Sequence, residues 1–113
     1  MYVYNAETIS IVDGDTLWVM IDLGFDLYHK RKIRFADINA PELSTSDGKV
    51  SSEYLKGIIK PGQKVVIQSS KAEDKYGRFV ATVYTDAQVS VTIQGRNINS
   101  DLVATGHAVF KKY

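Results

Sequence analysis

Asp15, Arg34, Glu42 and Arg78 are four ionised residues set beside turns or strand ends, where side chains are presented rather than packed. A carboxylate can take a proton from water, and two guanidiniums can neutralise charge that builds on phosphate oxygens during hydrolysis. Arginine stays protonated at any working pH and donates two parallel hydrogen bonds to a phosphate, which lysine does not. Taken singly, each residue also has a plainer reading. Asp15 is a turn residue in Asp13-Gly14-Asp15-Thr16, Arg34 and Arg78 are solvated strand charges, and Glu42 is an exposed loop acid. The chain has no cysteine and only two histidines, His29 and His107, neither with a partner at ligand spacing. Thiolate chemistry is therefore excluded, and a metal would be held mostly by oxygen, the donor set of hard cations.

The elements that must position these residues are mostly strands. Residues 16–23 alternate, with Leu17, Val19, Ile21 and Leu23 on one face and Trp18, Met20 and Asp22 on the other. Residues 2–12 are rich in strand formers and run into Asp13-Gly14-Asp15, a turn combination that predicts a hairpin. A third strand is expected over 28–38, stopped by Pro41. Between residues 47 and 59 the period changes: Tyr54 with Ile58 and Leu55 with Ile59 give the four-residue spacing of an amphipathic helix, ended by Pro61-Gly62. Further strands are expected over 65–68 and 78–85, with a short extra one over 89–93. Asn99 is placed as the cap of a helix covering Leu102 and Val103, with Gly106 just past its last turn. Five strands with two short helices predict a mainly β (α+β) fold, a small Greek-key barrel rather than an alternating α/β sheet.

With 113 residues, 44% hydrophobic and 24% charged, one folded domain over 1–113 is expected, and a monomer. No apolar run is long enough to span a bilayer, and the start lacks the pattern of a signal peptide. The expected home is cytoplasmic, or secreted with a signal already removed, with no membrane partner. The net charge of +1 does not name a substrate, because a polyanion responds to a local patch. The basic run Lys30 to Arg34 reads either as part of such a patch or as a wet surface, and Lys111, Lys112 and Tyr113 read either as a contact or as a solvated tail.

Three groups of residues in order, Val12-Asp13-Gly14-Asp15-Thr16, Arg34-Phe35-Ala36-Asp37-Ile38-Asn39-Ala40-Pro41-Glu42 and Asp74-Lys75-Tyr76-Gly77-Arg78, resemble the staphylococcal nuclease (thermonuclease) family. The resemblance covers nearly the whole chain. It implies an OB-type five-stranded Greek-key barrel and a metal-dependent endonuclease acting on DNA and often RNA. It also implies that Asp15, Asn39 and the carbonyl of Ala40 hold a divalent cation, calcium in that family. Glu42 is then the general base, Arg34 and Arg78 grip the phosphate, and Lys75 and Tyr76 lie beside the bound nucleotide. Pro41 fixes its own backbone and extends Ala40, which stiffens the chain that carries a ligand carbonyl and a base.

Three departures from that family stand out. Asn39 occupies the place of a ligand aspartate, and an amide oxygen brings no negative charge, so calcium is expected to bind more weakly. The loop after Glu42 is shorter, and the stretch over 87–96 is longer, with an alternation that suggests an extra hairpin arm. The last helix of the best-known member has no counterpart before Tyr113. Asn39 also feeds an alternative, a nucleic-acid-binding module on the same barrel that is catalytically weak or inactive. A pure interaction barrel is a third reading, against which the four ionised residues count.

Overall fold

The computed structural model describes residues 2–71, 79–89 and 93–111. In chain order these form β1 (Val3–Asp13), β2 (Thr16–Gly24), β3 (Leu27–Phe35), β4 (Ile38–Asn39), α1 (Ser46–Ile58), β5 (Lys64–Lys71), β6 (Phe79–Val89), β7 (Ile93–Asn97), α2 (Ile98–Ala104) and β8 (Val109–Phe110). Strands β3, β2, β1, β5 and β6 pair in that order, and β6 then returns to β3 in parallel through Ile33↔Phe79, Arg34↔Val80 and Phe35↔Ala81. That last pairing closes a five-strand barrel with two helices, the mainly β OB-type fold expected. Closure leaves the ring without free edges.

The alternation in β2 decides what fills the barrel. Leu17, Val19 and Ile21 are buried, and they meet Ile33 and Phe35 of β3, Val65 and Ile67 of β5, and Ala81 and Val83 of β6. Leu55 and the α1 cap residue Ile59 close the core on one side, and Ile98 and Leu102 of α2 add to it. Tyr54 and Ile58, the other pair of the helical spacing, are half-buried against the same core. Tyr54 stacks on His107 at 3.9 Å and donates to Asp101 Oδ2 at 2.8 Å, and Arg96 bonds the same carboxylate oxygen at 2.8 Å. This network joins α1 to α2 and gives His107 a structural role.

Leu23 departs from its row: it is 46% exposed, because this end of β2 runs out into the hairpin turn beyond the barrel. There Phe25 and Asp26 form a two-residue turn at φ 54° and 61°, the left-handed pair that a tight hairpin requires. Such a φ costs a bulky residue about 1–3 kcal/mol, yet the Phe25 side chain is fully exposed.

Most of the extra strand expected over 89–93 lies outside the described residues; β6 continues to Val89, which pairs with Ile93 at the start of β7. One expectation about the C-terminal third is corrected. The cap of α2 is Asn97, whose side chain accepts from Ser100 N at 3.0 Å. Asn99 is inside the helix and buried: it accepts from Val83 N at 3.0 Å and donates to Ala36 O at 3.1 Å and Ala81 O at 3.2 Å. Core placement of Ile98 fixes which asparagine points outward to cap and which points inward. Gly106 does take the left-handed conformation expected past the helix, at φ 81°.

Candidate active site

The turn between β1 and β2 presents Asp15 inward. Asp13 Oδ1 accepts from Asp15 N at 3.1 Å, a local bond that tightens the turn, and Asp15 O accepts from Phe35 N at 2.9 Å. The Asp15 carboxylate is buried, and its two oxygens are used separately. Oδ1 accepts from Thr16 Oγ1 at 3.0 Å, while Oδ2 accepts from Ala40 N at 2.9 Å and lies 3.4 Å from Arg34 Nη2. Gly14 allows this closeness: a methyl group on it would come within 2.9 Å of the Cβ atoms of Ala40 and Ser51.

Arg34 stands on β3, 8% exposed, and points into the same space. Its Nη1 donates to Phe35 O at 2.9 Å and its Nη2 to Asn39 Oδ1 at 3.3 Å. Asn39 is carried by β4, which the chain end braces through Asn39↔Val109 and Ile38↔Phe110, with Lys111 N donating to Asp37 O at 2.8 Å. Ser51 Oγ donates to His107 O at 2.7 Å, so α1 ties the Gly14 turn to that brace. Asp15, Arg34, Asn39 and Ala40 are thus brought together.

Glu42 is exposed, and no described group bonds its carboxylate. Its backbone is nevertheless fixed, because Glu42 O accepts from Thr45 N at 3.0 Å and Thr45 Oγ1 at 2.7 Å. Thr45 in turn caps α1 by accepting from Gly48 N at 3.0 Å. A side chain on Gly48 would overlap the Glu42 carbonyl, so the glycine lets the helix start lie directly on this loop. Lys75, Tyr76 and Arg78 lie outside the described residues. Arg78 immediately precedes Phe79, which pairs with Ile33 beside Arg34.

In the sequence Asp13 is marked only as a turn residue. Burial first, then the hydrogen bond to and charge of Asp15, raise its carboxyl from 3.8 to about 6. The only sequence signal for this was the repeated acid in Asp-Gly-Asp. The side-chain donors gathered at Arg34, the Asp15 carboxylate and the Asn39 amide oxygen, are both oxygen. That chemistry fits a hard cation, although no group of three or more His, Asp or Glu able to hold one occurs among the described residues.

The family model described as staphylococcal nuclease homologue matches residues 32–113, the part that supplies Arg34, Asn39, Ala40 and Glu42 to this arrangement. The chain belongs to the staphylococcal nuclease homologue family. Among curated proteins it is similar to Endonuclease YhcR of Bacillus subtilis (strain 168), 36% identical over 93% of this chain and 9% of that protein. It is similar also to Protein ParB of Escherichia coli, 32% identical over 92% of this chain and 55% of that protein. An uncharacterized endonuclease of Haemophilus influenzae is 34% identical over 96% of this chain and 54% of that protein. The staphylococcal-nuclease-like chain therefore spans from about a tenth to about half of these relatives' lengths. No helix among the described residues is long and apolar enough to cross a membrane.

Proposed function

We propose that the chain is a phosphodiester hydrolase, an endonuclease that cuts DNA, and RNA as well, with help from a divalent cation. The observation that carries this is the junction of Asp15, Arg34 and Asn39 at the mouth of the closed barrel, with the Glu42 backbone fixed close by in sequence. Family membership and the printed names of two relatives, Endonuclease YhcR and the Haemophilus uncharacterized endonuclease, support the same reading.

In this reading Glu42 takes the proton from the attacking water, and its exposure leaves room for water and phosphate to reach it. Arg34 and Arg78 hold the phosphate as charge grows on its oxygens. Arg34 must then release Asn39 Oδ1 and turn outward. Asp15, Asn39 and the Ala40 carbonyl would hold the cation, for which calcium is the candidate, and Lys75 and Tyr76 would lie against the nucleotide. When bound, the cation supplies Lewis-acid polarisation of the phosphate. Gly14 and Gly48 set the spacing of the two loops, and preorganisation of this kind is worth several kcal/mol in a reacting site.

A second reading, a nucleic-acid-binding module without catalysis, is favoured by the amide at Asn39 in place of a carboxylate. One experiment separates the two: cleavage of labelled single- and double-stranded DNA and RNA with calcium, magnesium, manganese or EDTA, by the parent chain and by Glu42→Gln. The nuclease reading expects cation-dependent cleavage that falls at least about a hundredfold in Glu42→Gln, with nucleic-acid binding retained. Binding without cleavage by the parent would select the second reading.

A further inference from the structure

The basic run Lys30 to Arg34 is divided by the sheet. In the β2–β3 register Leu17↔Ile33, Val19↔Arg31 and Ile21↔His29 alternate with Thr16↔Arg34, Trp18↔Lys32, Met20↔Lys30 and Asp22↔Tyr28. The first set contains the buried core residues, so the second lines the other face. Tyr28, Lys30, Lys32 and Arg34 therefore stand in one row, about 6.7 Å apart and about 20 Å from end to end. Arg34, the residue given to the phosphate, ends the row at the barrel, and the exposed Phe25 turn lies beyond the other end.

Trp18 sits between the two lysines. Lys30 Nζ is 5.3 Å and Lys32 Nζ 5.2 Å from its ring centroid, so two like charges are gathered at one aromatic ring. Among the described residues neither lysine pairs with a carboxylate. The acids of the ribbon itself are Asp22, tied to Gly24 N at 2.8 Å, and Asp26 at the turn, and Glu7 of β1 stands opposite Met20, one strand further from Lys30. Tyr28 is 61% exposed in the same row. Alternating ammonium groups and aromatic rings along a line form the surface that a single strand recognises, with its phosphates on the cations and its unpaired bases on the rings. A duplex keeps its bases stacked and has no use for the rings.

We propose that this outer face of the β2–β3 ribbon is a binding track for single-stranded nucleic acid, on which Lys30 and Lys32 take phosphates and Trp18 and Tyr28 stack on bases. The track rests on the nuclease reading for its direction, since it leads the strand away from the phosphate held at Arg34.

Trp18 is the single tryptophan of the chain and so reports directly on its own contact. The test is a titration in EDTA, where the strand stays intact, of the chain with a fluorescein-labelled twelve-residue oligothymidylate, following Trp18 emission and label anisotropy together. Saturable quenching of Trp18 is expected, in step with the anisotropy. The double variant Lys30→Gln/Lys32→Gln keeps the aliphatic stems and is expected to bind about tenfold more weakly. Its slope of log affinity against log salt should be shallower by about 1.4, two phosphate contacts at about 0.7 each. Thermal melting checks that the variant is folded, and if it is not, the Trp18 response of the parent chain decides alone. Binding that leaves Trp18 emission unchanged, an unchanged salt slope in a folded double variant, or tighter binding of a duplex of the same length would each overturn the track. A chain that quenches as expected but cuts nothing keeps the track and loses the nuclease reading. A chain that cuts without a Trp18 response does the reverse.

Discussion

Arg34 Nη2 lies 3.4 Å from Asp15 Oδ2 and 3.3 Å from Asn39 Oδ1, so one guanidinium nitrogen faces both side-chain oxygens proposed to hold a cation. A cation held there would compete with the arginine for the same acceptors. Their charges and the charge of residue 39 must therefore be considered together.

Asn39→Asp adds a carboxylate to a site built around Asp15, and ligand charge is a main determinant of calcium affinity at oxygen sites. Calcium binding by calorimetry should tighten at least about tenfold, and cleavage at limiting calcium should rise in step. Unchanged calcium affinity would reject residue 39 as a ligand. Tighter calcium without faster cleavage would favour the binding module.

Arg34→Lys keeps the charge but loses the fork that reaches Phe35 O and Asn39 Oδ1 at once. Turnover should fall at least about a hundredfold, with thermal melting to check that the variant is folded. A fully active lysine variant would place the phosphate grip elsewhere.

Asp13 makes stability depend on pH. Its carboxyl is raised from 3.8 to about 6 in the fold, so between these values the folded chain holds a proton that the unfolded chain releases. The resulting stability is full below about pH 3.8 and is lost as pH rises through about 6. Asp13→Asn should therefore stabilise the chain at pH 8 by about 1 kcal/mol, discounted for partial solvent screening, and hardly at all at pH 3.5. Denaturant unfolding of both forms in EDTA at the two pH values checks this. An equal effect at both would remove Asp13 from the titration.

Thr8 carries a buried hydroxyl with no hydrogen-bond partner among the described residues, although its backbone bonds Gln63 O at 2.8 Å and Gly62 N at 2.7 Å. Leaving such a group unpaired costs about 1–3 kcal/mol. Thr8→Val should raise stability by about 1 kcal/mol and the thermal midpoint by roughly 4 °C. A lower midpoint would show that the hydroxyl has a partner, such as a bound water.

The strands that make the barrel were legible where burial is one-sided: the alternation of Leu17, Val19 and Ile21 gives β2 and its face directly. The first two motifs contain Asp15, Arg34, Asn39 and Ala40, which meet in space; the third lies outside the described residues. Asn99 was misread because capping is local, whereas the three backbone groups it satisfies come from β6 and the turn after β3. The acidity of Asp13 depends on burial, which a turn sequence does not reveal. The Lys30 to Arg34 run read as a single block, and its division came only with the register against β2. The parallel pairing of β3 with β6 joins residues about 46 positions apart, and local periodicity carries no trace of it.

That parallel seam also sets an order of events. Arg34 is held in a closed ring only when β6 has arrived, and the stretch that brings Arg78 leads straight into β6. During synthesis the hairpins of β1, β2 and β3 can form early, because their contacts are local, while the seam must wait for residues 79–81. Until then the two arginines belong to unconnected parts of the chain. On the proposed reading, an unfinished chain, or one whose seam has opened, would lack the paired phosphate grip, and competence would arrive with topological completion rather than with the appearance of secondary structure.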